Sequence, residues 1–125
     1  MKMVLDDAEG LNVVSAYAEG EVRVRGKPLE TGLLILPRRI MTEGVPRTLA
    51  ELDADTLTSV IEEKVAILVV GTGERQQFPS PSVFSSLMRA GIGYEVMDNR
   101  AACRTFNILL GEGRDAALLL LRDQA

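Results

Sequence analysis

The chain has 125 residues, of which 46% are hydrophobic and 26% are charged, and its formal net charge is −4. That length suits one domain with a sizeable hydrophobic core. The chain has no histidine and a single cysteine, Cys103, which excludes histidine-based catalysis, histidine metal ligands and internal disulfides. The acidic balance and the low aromatic content argue against nucleic acid as a partner.

The N-terminal segment lacks the apolar region of a secretory signal, because Asp6 and Asp7 interrupt it. We expect residues 1–11 to be a flexible lead-in and residues 12–125 to form a single α/β domain. No apolar run approaches the roughly 20 residues of a membrane span. The sequence therefore predicts a cytoplasmic, bacterial protein without direct membrane insertion.

The first half of the chain is predicted to be antiparallel. Glu19-Gly20 is a two-residue hairpin signal, and the strand after it alternates apolar with charged residues. Pro37 ends an apolar run, and Asp53 or Asp55 is placed to cap a short helix. The predicted elements are strands at 12–18, 21–25 and 32–36, a weaker strand at 38–44, and a helix with Leu57, Val60 and Ile61 on one face.

The second half has the pattern of helices that cross over a parallel sheet. Its first strand, residues 65–70, is uninterrupted and rich in β-branched residues, as a strand buried on both faces requires. The other predicted elements are a helix from Ser80 to Gly91, a strand at 94–97, a helix from Asp98 or Asn99 to Leu110, and a strand at 114–121. The fold class is therefore three-layer α/β, with a central mixed sheet flanked by helices and an N-terminal antiparallel hairpin sheet.

The turn Gly71-Thr72-Gly73 follows a predicted parallel strand, and ligands of such sheets bind beyond the carboxyl ends of the strands. The helix at Asp98 is predicted to begin at the same edge, across a crevice. The candidate ligand- or partner-binding residues are Thr72, Gly73, Arg75, Gln76, Asp98, Asn99, Arg100, Arg104 and Asn107. No catalytic residue, metal ligand or cofactor is predicted.

Each of these features also has a purely structural interpretation. The glycine turn has no Walker lysine and no GxGxxG pattern, so a tight strand exit is the favoured explanation of it. Arg100 and Arg104 are either partners of nearby acids or contacts for a ligand. Cys103 is expected to be inert, because no histidine can act as its base.

Six basic residues lie between residues 23 and 47, where only Glu30 and Glu43 are acidic. They are Arg23, Arg25, Lys27, Arg38, Arg39 and Arg47. A solvated hairpin surface is the favoured interpretation, and a basic face suited to an acidic partner is the alternative.

Residues 10–121 resemble the domain-of-unknown-function family that includes mitochondrial complex I assembly factor 3 and the adipogenesis-associated domain protein. The resemblance depends on the Gly71 turn with Gln76, Gly91-Ile92-Gly93, Glu95-Val96-Met97, Ala101-Ala102, Arg104-Thr105-Phe106-Asn107 and Glu112-Gly113-Arg114. Phe106 stands where tyrosine is common and Asn99 where threonine is common, and two hydroxyls are thereby absent.

The resemblance implies a three-layer α/β fold with an additional antiparallel sheet, and it implies no established enzyme activity. The mitochondrial branch works through protein partners in the assembly of respiratory complex I, and some bacterial relatives are associated with protein export or membrane insertion. The first hypothesis is therefore a non-enzymatic interaction domain that binds a membrane-complex subunit or assembly factor, through Arg100 and Arg104 or through the basic hairpin. The second is a small-molecule or anion-binding domain, including an enzyme, that uses the crevice. The oligomeric state is left open.

Overall fold

The computed structural model describes residues 12–123, and the predicted lead-in over residues 1–11 lies outside them. The strands of the described part are β1 (Val14–Ala18), β2 (Glu21–Val24), β3 (Lys27–Glu30), β4 (Leu33–Leu36), β5 (Arg39–Met41), β6 (Ile67–Gly71), β7 (Gly93–Met97) and β8 (Ala116–Leu120). The α-helices there are α1 (Thr58–Glu62), α2 (Ser85–Arg89) and α3 (Asn99–Gly111). Short 3-10 helices lie at Leu49–Glu51, Ala54–Leu57 and Pro81–Phe84.

The strands form two sheets. The first is antiparallel in the order β1-β2-β3, and the second has the order β5-β4-β8-β6-β7. In the second sheet β6 is parallel to both β7 and β8, whereas β4 is antiparallel to β8 and to β5. The predicted mixed central sheet and the additional antiparallel sheet are both confirmed.

Alternation along the central strands produces a core on each face of the sheet. On β6, Leu68 and Val70 pack with α1 and α2, whereas Ile67 and Val69 pack with α3 and the three-stranded sheet. Both faces are covered, so these strands read as continuous apolar runs. The result is three layers: α1 with α2, the central sheet, and α3 with the three-stranded sheet.

The third strand of the small sheet was not predicted. Pro28 and the exposed charges of β3 hide it, since Leu29 is its only half-buried residue. It forms because a two-residue turn at Arg25-Gly26 returns the chain onto β2, where Val24 pairs with Lys27. The weakly predicted strand at 38–44 is confirmed as the shorter β5.

Other bounds also differ from the prediction. The helix expected from Ser80 to Gly91 is a 3-10 turn, Pro81–Phe84, followed by five residues of α2. Ser80 has the N-cap position, but its hydroxyl pairs with that of Ser82 and caps nothing. Within residues 12–123, no helix is long and apolar enough to cross a lipid bilayer.

Candidate functional site

The glycine turn after β6 is bonded directly to the start of α3. Asn99 is 1% exposed; its Oδ1 accepts from the Gly73 amide at 3.0 Å, and its Nδ2 donates to the Leu121 carbonyl at 2.8 Å. The Asn99 amide in turn donates to the Gly73 carbonyl at 2.8 Å. One side chain therefore joins the ends of β6 and β8 to the first turn of α3.

Both glycines of the turn are required by close contacts. A Cβ on Gly71 would lie 2.2 Å from Asn99 Oδ1, and a Cβ on Gly73 would lie 2.0 Å from Asp123 Oδ1. Gly73 also has a φ of +107°, which side chains rarely adopt. These contacts explain the glycines as a tight strand exit without any ligand.

Thr72 is buried and its hydroxyl organises the loop that follows. Thr72 Oγ1 donates to the Arg75 carbonyl at 2.7 Å and accepts from the Gln77 amide at 3.0 Å. The Gln76 side chain donates to the Val96 carbonyl on β7 at 3.0 Å. The side chain of Arg75, in contrast, is exposed and has no hydrogen-bond partner among residues 12–123.

Asp98 caps α3, because its Oδ1 accepts from the Ala101 amide at 2.9 Å. Asn107 joins α3 to the small sheet, since its side-chain amide donates to the Val14 carbonyl at 2.7 Å and accepts from the Val14 amide at 2.9 Å. Both of these predicted site residues therefore have a structural role, Asp98 at the start of α3 and Asn107 between α3 and the small sheet.

Arg100 and Arg104 are exposed on α3, and neither forms an ion pair with any of residues 12–123. The Arg100 guanidinium lies over the Tyr17 ring, 5.3 Å from its centroid. The Tyr17 hydroxyl donates to the Glu74 carboxylate. Burial, followed by that hydrogen bond, raises the pKa of the Tyr17 phenol well above its ordinary range, so Tyr17 stays protonated.

The opening beside the glycine turn is an acidic cleft of about 480 Å³. Gly73 and Asn99 line it together with residues of the small sheet. The sequence did not predict that the small sheet lies beside the glycine turn. Its charged lining residues are Glu19, Glu21, Glu30, Glu74, Asp123 and Arg122. Arg122 pairs with Glu30 at 2.9 Å. The excess of carboxylates repels anions, so this opening does not suit the anionic ligand that the crevice hypothesis includes.

Cys103 lies in the core beside Phe106 and is 5% exposed. Burial raises the pKa of the Cys103 thiol to about 12, and the nearby Arg100 guanidinium offsets only part of that rise. A thiol with this pKa is almost entirely protonated near neutral pH and is a poor nucleophile.

A second cleft, of about 620 Å³, is lined by four of the six basic residues between residues 23 and 47. Its cations are Arg25, Lys27, Arg38 and Arg39, and its apolar lining is Val24, Leu29, Pro37 and Ile40. Among residues 12–123 no carboxylate lines it. We call it the basic cleft.

The basic cleft is formed by two hairpin tips. Arg25 and Lys27 belong to the β2–β3 hairpin, whereas Arg38 and Arg39 belong to the β4–β5 hairpin. Arg39 forms an ion pair with Glu63, and the distance from Arg39 Nε to Glu63 Oε2 is 3.0 Å. Arg25 has a φ of +54°, a left-handed conformation that usually favours asparagine or glycine. The sequence showed the charges, but it could not show that the two tips meet.

A model of one protein family, described as "Protein of unknown function (DUF498/DUF598)", matches residues 14–121. The chain belongs to this family. The resemblance predicted from the glycine turn and the α3 sequence is therefore confirmed. Family membership by itself assigns no activity to this chain.

Among curated relatives of the DUF498/DUF598 chain is the Xenopus tropicalis protein named NADH dehydrogenase [ubiquinone] 1 alpha subcomplex assembly factor 3. The two are 28% identical over 120 residues, which cover 95% of this chain and 65% of the relative. The chain thus spans less than two thirds of the length of that relative.

Solved structures share the fold. A Bordetella parapertussis protein has a TM-score of 0.81 and 34% identity, over 91% of this chain and 98% of its own. A Bordetella pertussis protein described as a Mth938-like domain has a TM-score of 0.79 and 29% identity, over 99% of this chain and 95% of its own. The predicted three-layer α/β fold is therefore that of known structures.

Proposed function

We propose that this DUF498/DUF598 protein is a non-enzymatic interaction domain, and that it helps a membrane-bound complex to assemble by binding one of its subunits or assembly factors. The observation that carries the proposal is the basic cleft, which four cations and four apolar residues line in a protein of net charge −4. Among residues 12–123, Arg39 alone of these cations pairs with a carboxylate, that of Glu63. The relative named as a complex I assembly factor supports the assembly role. We place this activity in the bacterial cytoplasm.

The geometry favours the basic cleft over the Arg100/Arg104 face as the main contact. A concave surface with apolar lining residues excludes water from the contact with its partner. Each charge–charge contact there is therefore screened less than on a convex helix. Arg100 is also held over the ring of Tyr17, a residue that lines the acidic cleft, so it is less free to reach an acidic partner. Burial of apolar area in the cleft adds a favourable term to the binding free energy.

Capture of partners from the native host tests the proposal. The full chain is compared with Arg25→Glu/Lys27→Glu, and Arg100→Glu/Arg104→Glu is the matched control because it changes the net charge equally. We expect the cleft variant to lose a co-purifying membrane-complex protein that the helix variant retains. Equal retention by both variants, or loss from the helix variant alone, would place the contact elsewhere.

The small-molecule hypothesis keeps one specific support, the acidic cleft beside Gly73 and Asn99. Its carboxylates favour a cationic ligand over the phosphates and carboxylates that a crevice with arginines suggested. A thermal-shift screen of amines, nucleotides, phosphates and carboxylates tests it, because a ligand that binds the folded state raises the melting temperature. No shift with any of them contradicts this second function.

A further inference from the structure

We infer that the basic cleft accepts an extended, acidic segment of a partner protein, and that this segment pairs through its main chain with the open edge of β5. The inference rests on the proposed function of the same cleft and adds the chemistry and conformation of what binds there. Three features carry it: the register of β5, the proline in β3, and the charges of the cleft.

The register of the β4–β5 hairpin leaves backbone groups unpaired at the cleft. Leu36 and Arg39 flank the two-residue turn, so they form a hydrogen-bonded pair, and the next pair, Ile35 with Ile40, is non-hydrogen-bonded. The amide and carbonyl of Ile40 therefore point away from β4. Because β5 is the edge of its sheet, no strand of residues 12–123 meets them.

The opposite wall of the cleft is closed to the same kind of pairing. Val24 and Lys27 flank the two-residue turn of the β2–β3 hairpin, so the backbone of Pro28 points outward from the edge of β3. Proline has no amide hydrogen, and edge strands commonly use it to prevent pairing. Of the two edges at the cleft, β5 is therefore the one that accepts a strand.

The side chains around this edge select the sequence of the segment. Successive residues of an added strand point to opposite faces of the sheet. Residues on the face of Ile40 lie on the side of Leu29, Arg25 and Lys27, so carboxylates at these positions are attracted by the cations of the cleft. The residues between them lie on the face of Met41, which packs against the other core, so apolar side chains suit those positions. A segment in which acidic and apolar residues alternate satisfies both. The cations of the cleft repel a basic segment.

A synthetic peptide tests the inference directly. The probe is an acetylated and amidated octapeptide in which glutamate and leucine alternate, and its control has lysine in place of glutamate. Binding is measured by NMR with the full chain. We expect the acidic peptide alone to bind, to slow hydrogen exchange of the Ile40 amide by about tenfold or more, and to lose affinity with Arg25→Glu/Lys27→Glu.

Several outcomes would overturn the inference. Peptide binding that leaves Ile40 exchange unchanged excludes main-chain pairing, and equal binding of the lysine peptide excludes charge recognition. Binding only after Asp6→Asn/Asp7→Asn/Glu9→Gln would assign the cleft to the acidic segment that precedes Asn12 in this chain. Replacement of the peptide by phosphatidylglycerol vesicles, with the same dependence on Arg25 and Lys27, would identify a lipid surface instead.

The two proposals fail in different ways. If the cleft variant loses its co-purified partner but the acidic peptide does not bind, the interaction function stands and the extended segment is wrong. If the peptide binds as described but no partner depends on the cleft, the recognition chemistry stands without the assembly role.

Discussion

Asn99 is only 1% exposed, although the sequence marks it as a candidate site residue. The side-chain amide of Asn99 forms hydrogen bonds with Gly73 and Leu121. Asn99 therefore holds the carboxyl ends of two strands at the start of α3. Glycine spacing and a helix N-terminus predicted that these segments meet. Whether their side chains face outward or inward depends on packing distances that no local pattern contains.

Gly71→Ala is expected to destabilise the protein by about 3 kcal/mol, because the new Cβ would overlap Asn99 Oδ1 and disturb a buried hydrogen-bonded group. Urea unfolding monitored by circular dichroism measures the change. Gly111→Ala is the matched control. It lies in α3 with open space around it, so it should stabilise by about 0.5 kcal/mol. Equal effects of the two changes would contradict this role of Gly71.

Cys103 should react slowly with iodoacetamide in the native protein. With a pKa of about 12, only about one thiol in a thousand is ionised at pH 9, whereas about half of unfolded thiols, with the ordinary pKa of 9.0, are ionised there. We expect the alkylation rate at pH 9 to rise by more than about tenfold in urea. Rapid native alkylation at neutral pH would show an activated thiol and would reopen nucleophilic chemistry.

The same pKa predicts a pH dependence of stability. The folded-state pKa of Cys103 lies above its ordinary value of 9.0. The contribution of the protonated thiol to the free energy of unfolding is therefore intact below pH 9, and it is lost as the pH rises toward 12. The slope approaches about 1.4 kcal/mol per pH unit for this one proton. Cys103→Ala should flatten the decline between pH 9 and 10 in urea unfolding, and an unchanged decline would assign it to other groups such as Tyr17.

At the scale of elements, the β2–β3 hairpin combines strain with charge. Arg25 occupies a left-handed turn position that costs roughly 1 kcal/mol for an ordinary side chain. Arg25→Asn should therefore raise the free energy of unfolding by about 0.5–1 kcal/mol while weakening partner capture. Lys27→Gln removes a charge from the same cleft without relieving strain, so it should weaken capture and leave stability nearly unchanged. A destabilised Arg25→Asn protein would contradict this interpretation of the turn.

Most elements could be predicted because their signals are local. The apolar runs of β4, β6 and β8 predict buried strands, and Asp98 with its amphipathic stripe predicts α3. β3 was missed because its side chains are mostly exposed, and the helix before β7 was predicted too long because Pro81 starts a 3-10 turn there. The arrangement of the small sheet beside α3 depends on long-range contacts, such as that of Asn107 with Val14.

At the scale of the whole molecule, the described residues form two clefts of opposite charge. The acidic cleft borders the glycine turn, and the basic cleft lies between the β2–β3 and β4–β5 hairpins. The basic composition of residues 23–47 could be read from the sequence, but the convergence of the tips could not, since it requires the tertiary fold. The most direct candidate for function therefore comes from a surface that the strongest sequence pattern did not mark.

Site-specific photo-crosslinking in the native host tests the central claim that the basic cleft receives the partner. A benzophenone amino acid replaces Thr42 at the basic cleft, and the matched control carries it at Glu19 in the acidic cleft, since both residues are exposed. The proposal predicts a protein adduct from position 42 that Arg25→Glu/Lys27→Glu abolishes, and none of the same mass from position 19. An adduct from position 19 alone would contradict it.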